Sequence, residues 1–462
     1  MYHTINDSIL NKLENIFSSN NILTSKQDKE KYARDETPGA CFFPEAVVFP
    51  RKTKQIKELV KLAQSLNFPI IPRGGGTSLT GGSLAIYGGV TVSFERLDSI
   101  LELDTENRMA VVQPGVINGN LQKKAQKEDL FYPVNPASQD SCTLGGNVAE
   151  STGGANTVKY GTTENYLTGI KAITGNGNIW TAGGKVVKNS TDRNLMQLMC
   201  GSEGTLSLFT ELTFRLVENP KKTVWLIIPY RDILDIPKAA GKIFKLGIDP
   251  TMVEIMDSKT LTYCEEYMDM EIPYSKYHQL LVRLDSARDT DLDEVLFKIG
   301  EACLEASAGE PLVADTRPKQ EKIWKFRSSV HDAITHVAGT ILEEDVVVPP
   351  ANTGSLIKKI RKISEDTGIP AVIFGHLGDG NMHLNFTGNR EETSLKTIDN
   401  LKNSIFSATV KLGGKLSGEH GIGISKKSYF SKFTDPNYIK LLKKIKNDFD
   451  PDHILNPGKI YE

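Results

Sequence analysis

The feature that most constrains this chain is where its glycines fall. Thirty-nine of 462 residues are glycine, many of them crowded between positions 74 and 204. The first cluster, Arg73-Gly-Gly-Gly-Thr-Ser-Leu-Thr-Gly-Gly-Ser83, follows directly on the strand candidate Pro69-Ile-Ile-Pro72. Upstream, Ala46–Phe49 reads as a strand, and Thr53 is expected to cap a helix with the apolar stripe Ile56, Leu59, Val60, Ala63 and Leu66. This is a βαβ-like opening that delivers a glycine loop from a strand end. Two tight turns would explain an isolated triple glycine. Here, however, successive residues without Cβ let backbone N–H groups converge on an anion. Arg73 adds a permanent cation, and Thr77, Ser78 and Thr80 add hydroxyls. A second polar glycine segment follows at Ser141-Cys-Thr-Leu-Gly-Gly-Asn147, then Ser151-Thr-Gly-Gly154 and Lys159-Tyr-Gly161. Neither GxxxxGK[ST] nor a strand–helix GxGxxG occurs, which argues against a P-loop and a Rossmann site. A large phosphorylated ligand wrapped by two separate loops, a dinucleotide above all, fits the pattern.

The rest of the chain sets limits. The N-terminal segment reads as helical, with Ile9, Leu13, Ile16 and Phe17 on one face, and short strands are expected near 90–94, 109–113, 169–174 and 206–216. Residues 142–161 alternate small residues and glycines without periodicity and read as an ordered loop or a ligand-lining segment. Past Val217-Glu-Asn-Pro-Lys-Lys222 glycine thins out, and strand candidates at 225–229, 280–284, 313–315, 340–348 and 371–386 alternate with amphipathic helices. That pattern predicts a second, α+β domain. Lys and Arg total 55 against 57 Asp and Glu, so no basic field points to nucleic acid or an anionic membrane. The five cysteines stand far apart without a CxxC, which supports neither a disulfide framework nor a zinc-thiolate or iron–sulfur set. No apolar run is long enough to span a membrane and the N-terminus is unlike a signal peptide, so a cytoplasmic location is expected.

A third pattern lies near the C-terminus. In Phe374-Gly-His376-Leu-Gly-Asp-Gly-Asn-Met-His383-Leu-Asn385, Asp379-Gly380 is a favoured hairpin turn. If Gly378 and Asn381 close it, Leu377 pairs with Met382 and His376 faces His383. Directly paired residues have Cβ atoms about 4.5–5.5 Å apart, which suits two imidazoles on one metal ion. Asn385 falls on the same face. Ser417-Gly-Glu419-His420-Gly-Ile-Gly423 adds a carboxylate and another imidazole between glycines. His3, His278 and His453 lack such company and read as ordinary packing or surface residues. HExxH is absent, so a zincin protease is unsupported.

Taken in order, Pro72–Gly82, Cys142-Thr-Leu-Gly-Gly-Asn-Val-Ala-Glu150 and Gly201-Ser-Glu-Gly-Thr-Leu206 resemble the flavin-binding motifs of the vanillyl-alcohol oxidase / p-cresol methylhydroxylase superfamily. Within it the chain is similar to the FAD-linked 2-hydroxy-acid dehydrogenases of the D-lactate dehydrogenase / glycolate oxidase branch. The resemblance runs from about residue 40 to the end. It implies an α+β architecture: a two-subdomain FAD domain of the p-cresol methylhydroxylase type over residues 1–217, and a substrate or cap domain with an antiparallel sheet over 218–415. Residues 416–462 are expected to return to the FAD domain. The FAD pyrophosphate would be held by Arg73, Gly74, Gly75, Gly76, Thr77, Ser78, Gly81 and Gly82, with Thr143, Gly145, Gly146 and Asn147. Ser151, Gly153, Gly154, Tyr160, Gly161, Glu203 and Gly204 would line the remainder, with Asn456 near the flavin. Flavinylated relatives carry a histidine where Thr77 stands, so FAD is expected to be non-covalent.

In the resembled family His376, His383 and Glu419 match divalent-metal ligands, His420 the residue beside the substrate hydroxyl and Arg327 a substrate-carboxylate position. Asn385 joins His420 and Arg327 as a candidate catalytic residue. The implied reaction is oxidation of a small 2-hydroxy acid, D-lactate before glycolate or D-2-hydroxyglutarate, by hydride transfer to flavin N5. A second substrate carboxylate would want a second cation, whereas the strand Thr340-Ile-Leu-Glu-Glu-Asp345 is acidic. The chain has no iron–sulfur cysteines and no nicotinamide fingerprint, so electrons are expected to leave for a separate protein, a quinone or O₂; the resemblance implies a protein, either electron-transfer flavoprotein or an iron–sulfur subunit. Zn, Fe and Mn all suit two imidazoles and a carboxylate. Three alternatives stay open: an alkyl-dihydroxyacetone-phosphate-synthase-like flavoenzyme, a zinc hydrolase built on the hairpin, and a non-catalytic flavoprotein subunit.

Overall fold

The computed structural model describes residues 2–192, 194–288 and 292–461. The chain forms two compact units, Met1–Thr152 with Thr162–Asn219 and His420–Glu462, and Gly153–Gly161 with Pro220–Glu419. The short segment Gly153–Gly161 thus packs with the second unit, a division that the linear boundaries at 217/218 and 415/416 do not anticipate.

In the first unit, strands Ala46–Val48 and Ile70–Arg73 both lie parallel to Val90–Ser93 between them, while Ile22–Leu23 runs antiparallel at the edge. Helix Thr53–Leu66 makes the crossover and buries Ile56, Leu59, Val60 and Ala63. Thr53 is not its cap. Lys52 occupies that position, and the Gln55 side chain accepts the Arg51 and Lys52 N–H groups instead. Helix Asp7–Phe17, capped by Asn6, contributes Ile9, Leu13 and Phe17 to the same core. A second, five-stranded antiparallel sheet runs in the order Ile100–Asp104, Met109–Val112, Ser207–Arg215, Leu167–Thr174, Ile179–Gly183.

The C-terminal tail closes the edge of the parallel sheet, where Ile70 N–H donates to Ile454 O and Asn456 N–H donates to Ile70 O. A buried ammonium fixes the tail. Lys446, fully buried at the end of helix Pro436–Phe449, donates to Asp450 Oδ2 (2.5 Å), Leu455 O (2.7 Å) and Thr205 O (2.8 Å). Removing one partner of a buried ion pair typically costs about 3–5 kcal/mol because the other charge is stranded. Lys446→Met is therefore expected to lose roughly that much in chemical denaturation, far more than a surface lysine would.

The second unit is built on a seven-stranded antiparallel sheet. Its order is Leu312–Ala314, Lys222–Tyr230, His278–Ser286, Met252–Met256, Ala371–His376, Asn381–Thr387, Thr340–Val347. One face carries an apolar cluster of Trp225, Ile227, Met252, Met256, Leu281, Val372 and Phe374, joined by Leu261 of helix Ser258–Met268 and Ile323 and Phe326 of helix Arg317–Ser328. Side chains alternate along a strand, so Glu254, His376 and Arg283 share that face with their i±2 neighbours in the cluster. All five cysteines are free thiols. Among the described residues no helix is long and apolar enough to cross a membrane.

Candidate functional site

The two glycine segments of the first unit meet. A Cβ on Gly74 would lie 2.2 Å from Thr143 Oγ1, and one on Gly75 would lie 2.2 Å from the Ser141 carbonyl oxygen. At Gly75 glycine is required because backbone meets backbone, and at Gly74 because the short Thr143 side chain fills the space. Residues 142–161, whose lack of periodicity allowed an ordered loop, are partly helical. They contain helices Leu144–Glu150 and Thr157–Tyr160. Thr143 caps the first, its Oγ1 accepting the Gly146 N–H at 3.2 Å, and Gly145 packs where a Cβ would lie 2.6 Å from Pro114 Cβ. The helix is masked in the sequence because its glycines answer to close approach rather than to helix propensity. Asn147 Nδ2 donates to Asn118 Oδ1, and Ser78 Oγ accepts the Gly82 N–H.

Arg73 is held from within the first unit. It is 4% exposed, its Nη1 and Nη2 donate to Ser83 Oγ (3.2 Å) and Lys31 O (3.1 Å), and it lies over the Tyr32 ring. A Cβ on Gly76 would fall 2.1 Å from its Nη2. The guanidinium therefore buttresses the glycine loop. Asn456 is a staple: its Nδ2 donates to Gly82 O and to Glu203 O, both at 2.7 Å, tying the first loop, the Gly201–Gly204 turn and the tail together. Glu203 accepts the Ile422 and Gly423 N–H groups (2.7 and 2.8 Å), and burial still pushes its carboxyl up to about 7. A Cβ on Gly204 would lie 2.3 Å from Pro72 Cγ, and one on Gly81 would lie 2.5 Å from Ile424 Cγ1. Ser151 ends helix Leu144–Glu150 in the left-handed region at φ 54°. Thr77 lies within the first loop. His420 is half-buried, and its carbonyl accepts the Thr80 hydroxyl at 3.0 Å.

Gly153, Gly154, Tyr160 and Gly161 belong to the second unit, where the Tyr160 hydroxyl donates to Asp285 Oδ2 at 3.0 Å and Lys159 pairs with the same carboxylate. The histidine hairpin also lies there, in a different register from that expected. His376 pairs with Asn381 and Phe374 with His383, leaving a four-residue connection, Leu377–Gly380. A one-residue slip would turn a side chain to the other face, whereas this two-residue shift preserves parity. Both imidazoles thus remain on one face, ring centroids 5.4 Å apart, with His383 stacked on Phe374. Gly380 makes the longer turn possible: at φ +85° its Cβ would lie 1.9 Å from the Val348 carbonyl oxygen.

Glu419 Oε1 lies 3.4 Å from Nε2 of both His376 and His383. Among the described residues these three form the one His/Cys/Asp/Glu group able to hold a metal ion, with ligand atoms all within 4.8 Å of one another. Two ligand atoms about 2.1 Å from a shared tetrahedral ion stand roughly 3.4 Å apart, so the donor set and its spacing fit a divalent ion. Asp345 presents the carboxylate: fully buried, it accepts Ser417 Oγ and the N–H groups of Gly418 (2.9 Å) and Glu419 (2.8 Å). Its neighbours are committed as well, Glu344 to Lys402 (2.9 Å) and Glu343 to His331 (2.9 Å). The acidity of strand Thr340–Val347 is thus spent inside the protein, and it is no argument against a substrate with two carboxylates.

The sequence reading missed Glu254. Ladder pairs Ile255↔Gly375 and Met256↔Phe374 set it opposite His376. Its Oε1 lies 2.5 Å from His376 Nδ1, and its Oε2 accepts Arg327 Nε (2.7 Å) and Nη2 (2.5 Å). The signal available was one acid in an otherwise apolar run, Met252-Val-Glu-Ile-Met256, because a buried carboxylate demands partners. Arg327, 6% exposed, lies over the Phe374 ring. Asn385 is 1% exposed, and its Nδ2 has no acceptor among the described residues. Arg283, on the same sheet face, donates through Nη1 to Asn156 Oδ1 at 3.3 Å, while its Nε has no acceptor among the described residues.

The comparisons with known proteins accord with this architecture. Residues 44–183 match the FAD binding domain model, and 219–460 match the model for the C-terminal domain of FAD linked oxidases. The chain is 33% identical to glycolate oxidase subunit GlcD of Bacillus subtilis over 99% of its length and 97% of the relative's. It is 32% identical to D-lactate dehydrogenase of Anaerostipes hadrus (99% and 98%) and 30% identical to D-2-hydroxyglutarate dehydrogenase of Stutzerimonas stutzeri (98% and 99%). Among solved structures, substrate-bound p-cresol methylhydroxylase superposes with a TM-score of 0.81 at 17% identity, covering 98% of this chain and 97% of that one. Alkyldihydroxyacetonephosphate synthase gives 0.76 at 19% identity, covering 98% and 85%. These two likenesses establish the fold, that of a p-cresol-methylhydroxylase-type flavoprotein. The chain belongs to the FAD-linked oxidases, as an FAD-dependent oxidoreductase of the D-lactate, glycolate and D-2-hydroxyglutarate dehydrogenase type.

Proposed function

We propose that this chain oxidises a small D-2-hydroxy acid, D-lactate foremost, to the 2-oxo acid in the cytoplasm, with non-covalent FAD and a divalent ion bound. The observation that carries the reading is the His376–His383–Glu419 cluster, joined to Arg327 through Glu254. When bound, FAD would supply the two-electron acceptor for the hydride lost from the substrate Cα, and a divalent ion would supply Lewis acidity at the substrate hydroxyl. His376, His383 and Glu419 would hold that ion. Arg327 spends its side-on edge, Nε and Nη2, on Glu254, so its end-on edge would meet the substrate carboxylate. The orphaned Nδ2 of Asn385 is a further donor for substrate oxygen. His420, the next residue after Glu419, would take the hydroxyl proton on its imidazole. Electrons would leave for a separate acceptor, electron-transfer flavoprotein or an iron–sulfur subunit.

The test is an anaerobic absorbance spectrum of the FAD- and metal-loaded protein. Bleaching of the oxidised-flavin band by D-lactate and not by L-lactate is expected; an intact band under D-lactate, glycolate and D-2-hydroxyglutarate rejects the substrate class. A second reading, in which the substrate is a diacid, gains support from Arg283 on the same sheet face. If it holds, Arg283→Met slows flavin reduction by D-2-hydroxyglutarate about 10-fold or more and spares D-lactate, because only the diacid loses a charge partner. Equal loss with both acids would mark Arg283 as structural.

A further inference from the structure

Glu254 lies on a central strand with neighbours on both sides, and it is fully buried. A carboxylate there is costly unless paired, and each of its oxygens is used differently. Because an ionised carboxylate only accepts, the proton at the 2.5 Å contact belongs to His376 Nδ1, and the other nitrogen, Nε2, faces Glu419. The second oxygen takes two N–H donors from Arg327 along the edge of the guanidinium. The geometry points to Glu254 as a positioning residue with two arms: Oε1 orients His376 so that Nε2 is presented to the divalent ion, and Oε2 orients Arg327 so that its end-on edge is presented to the substrate carboxylate. This rests on the metal reading proposed above and deepens it. One carboxylate thereby sets both the ligand that activates the hydroxyl and the cation that fixes the substrate. A carboxylate on the distal nitrogen of a ligating histidine fixes its tautomer and ring orientation and raises its basicity, and losing one typically costs about 10–100-fold in metal affinity.

The experiment measures Mn²⁺ and Zn²⁺ affinity of the FAD-loaded protein by chelator competition, alongside KM and kcat for D-lactate. Three variants are compared with wild type. Glu254→Gln keeps the size and removes the charge; ion affinity should fall about 10–100-fold and KM should rise several-fold. Arg327→Gln should raise KM and leave ion affinity unchanged. The double variant E254Q/R327Q removes the stranded guanidinium and keeps the volume, so it carries the test if E254Q alone does not fold. It should bind the ion about 10–100-fold more weakly than wild type. A purely structural ion pair would predict wild-type ion affinity in the double variant, and that result overturns the inference while leaving the metal reading intact. A wild-type protein that takes up neither ion overturns the metal reading itself and the inference with it.

Discussion

Replacing His420 by alanine should slow flavin reduction by D-lactate about 10²- to 10⁴-fold, the range for losing a positioned general base. FAD should stay bound. The His420 main-chain carbonyl accepts the Thr80 hydroxyl of the glycine loop at 3.0 Å, a bond that survives truncation of the side chain. Stopped-flow reduction under anaerobic conditions reads the first quantity, and flavin absorbance per chain reads the second. Metal content should be unchanged as well, because Glu419 is presented by Asp345, which holds the Gly418 and Glu419 N–H groups independently of the imidazole. A wild-type reduction rate would assign proton removal to another group. Loss of FAD in parallel with loss of rate would make His420 part of the cofactor's support.

Gly75→Ala should abolish FAD retention. The added methyl would lie 2.2 Å from the Ser141 carbonyl oxygen and 3.3 Å from Cys142 Cα, so backbone, not a flexible side chain, must yield. The two glycine segments would be forced apart at the point where they meet. The expected result is a colourless protein after gel filtration, with D-lactate oxidation restored partly or not at all by added FAD. Retention of stoichiometric FAD at wild-type affinity would mean that the segments part without disturbing the cofactor's cradle.

The sequence could be read furthest where the determinants are local. The strand-to-loop step at Ile70–Gly76 and the helix Thr53–Leu66 follow from alternation and helical stripes over a few residues. The shared face of His376, His383 and Asn385 follows from the period of two along a hairpin, which is why an error of two in the expected register left it unharmed. The helix Leu144–Glu150 was not legible, because its glycines are set by the chains that pack on it. The acidity of Thr340–Val347 was legible as composition only. Its meaning changed once Asp345 was seen holding the turn before His420, and Glu344 and Glu343 were seen paired.

By itself, then, the sequence determined the residue types of the two glycine segments that meet and of the His–His–Glu cluster, since both are written in short segments whose turns and periods fix which side chains share a face. Only the tertiary structure decided what those side chains lean on. Glu254 reaches Arg327 across 73 residues and His376 across 122, and Asn456 reaches the Gly82 carbonyl across 374. Such pairings depend on which strands become neighbours in a sheet and in what register, a choice made by burying one common face rather than by any local pattern.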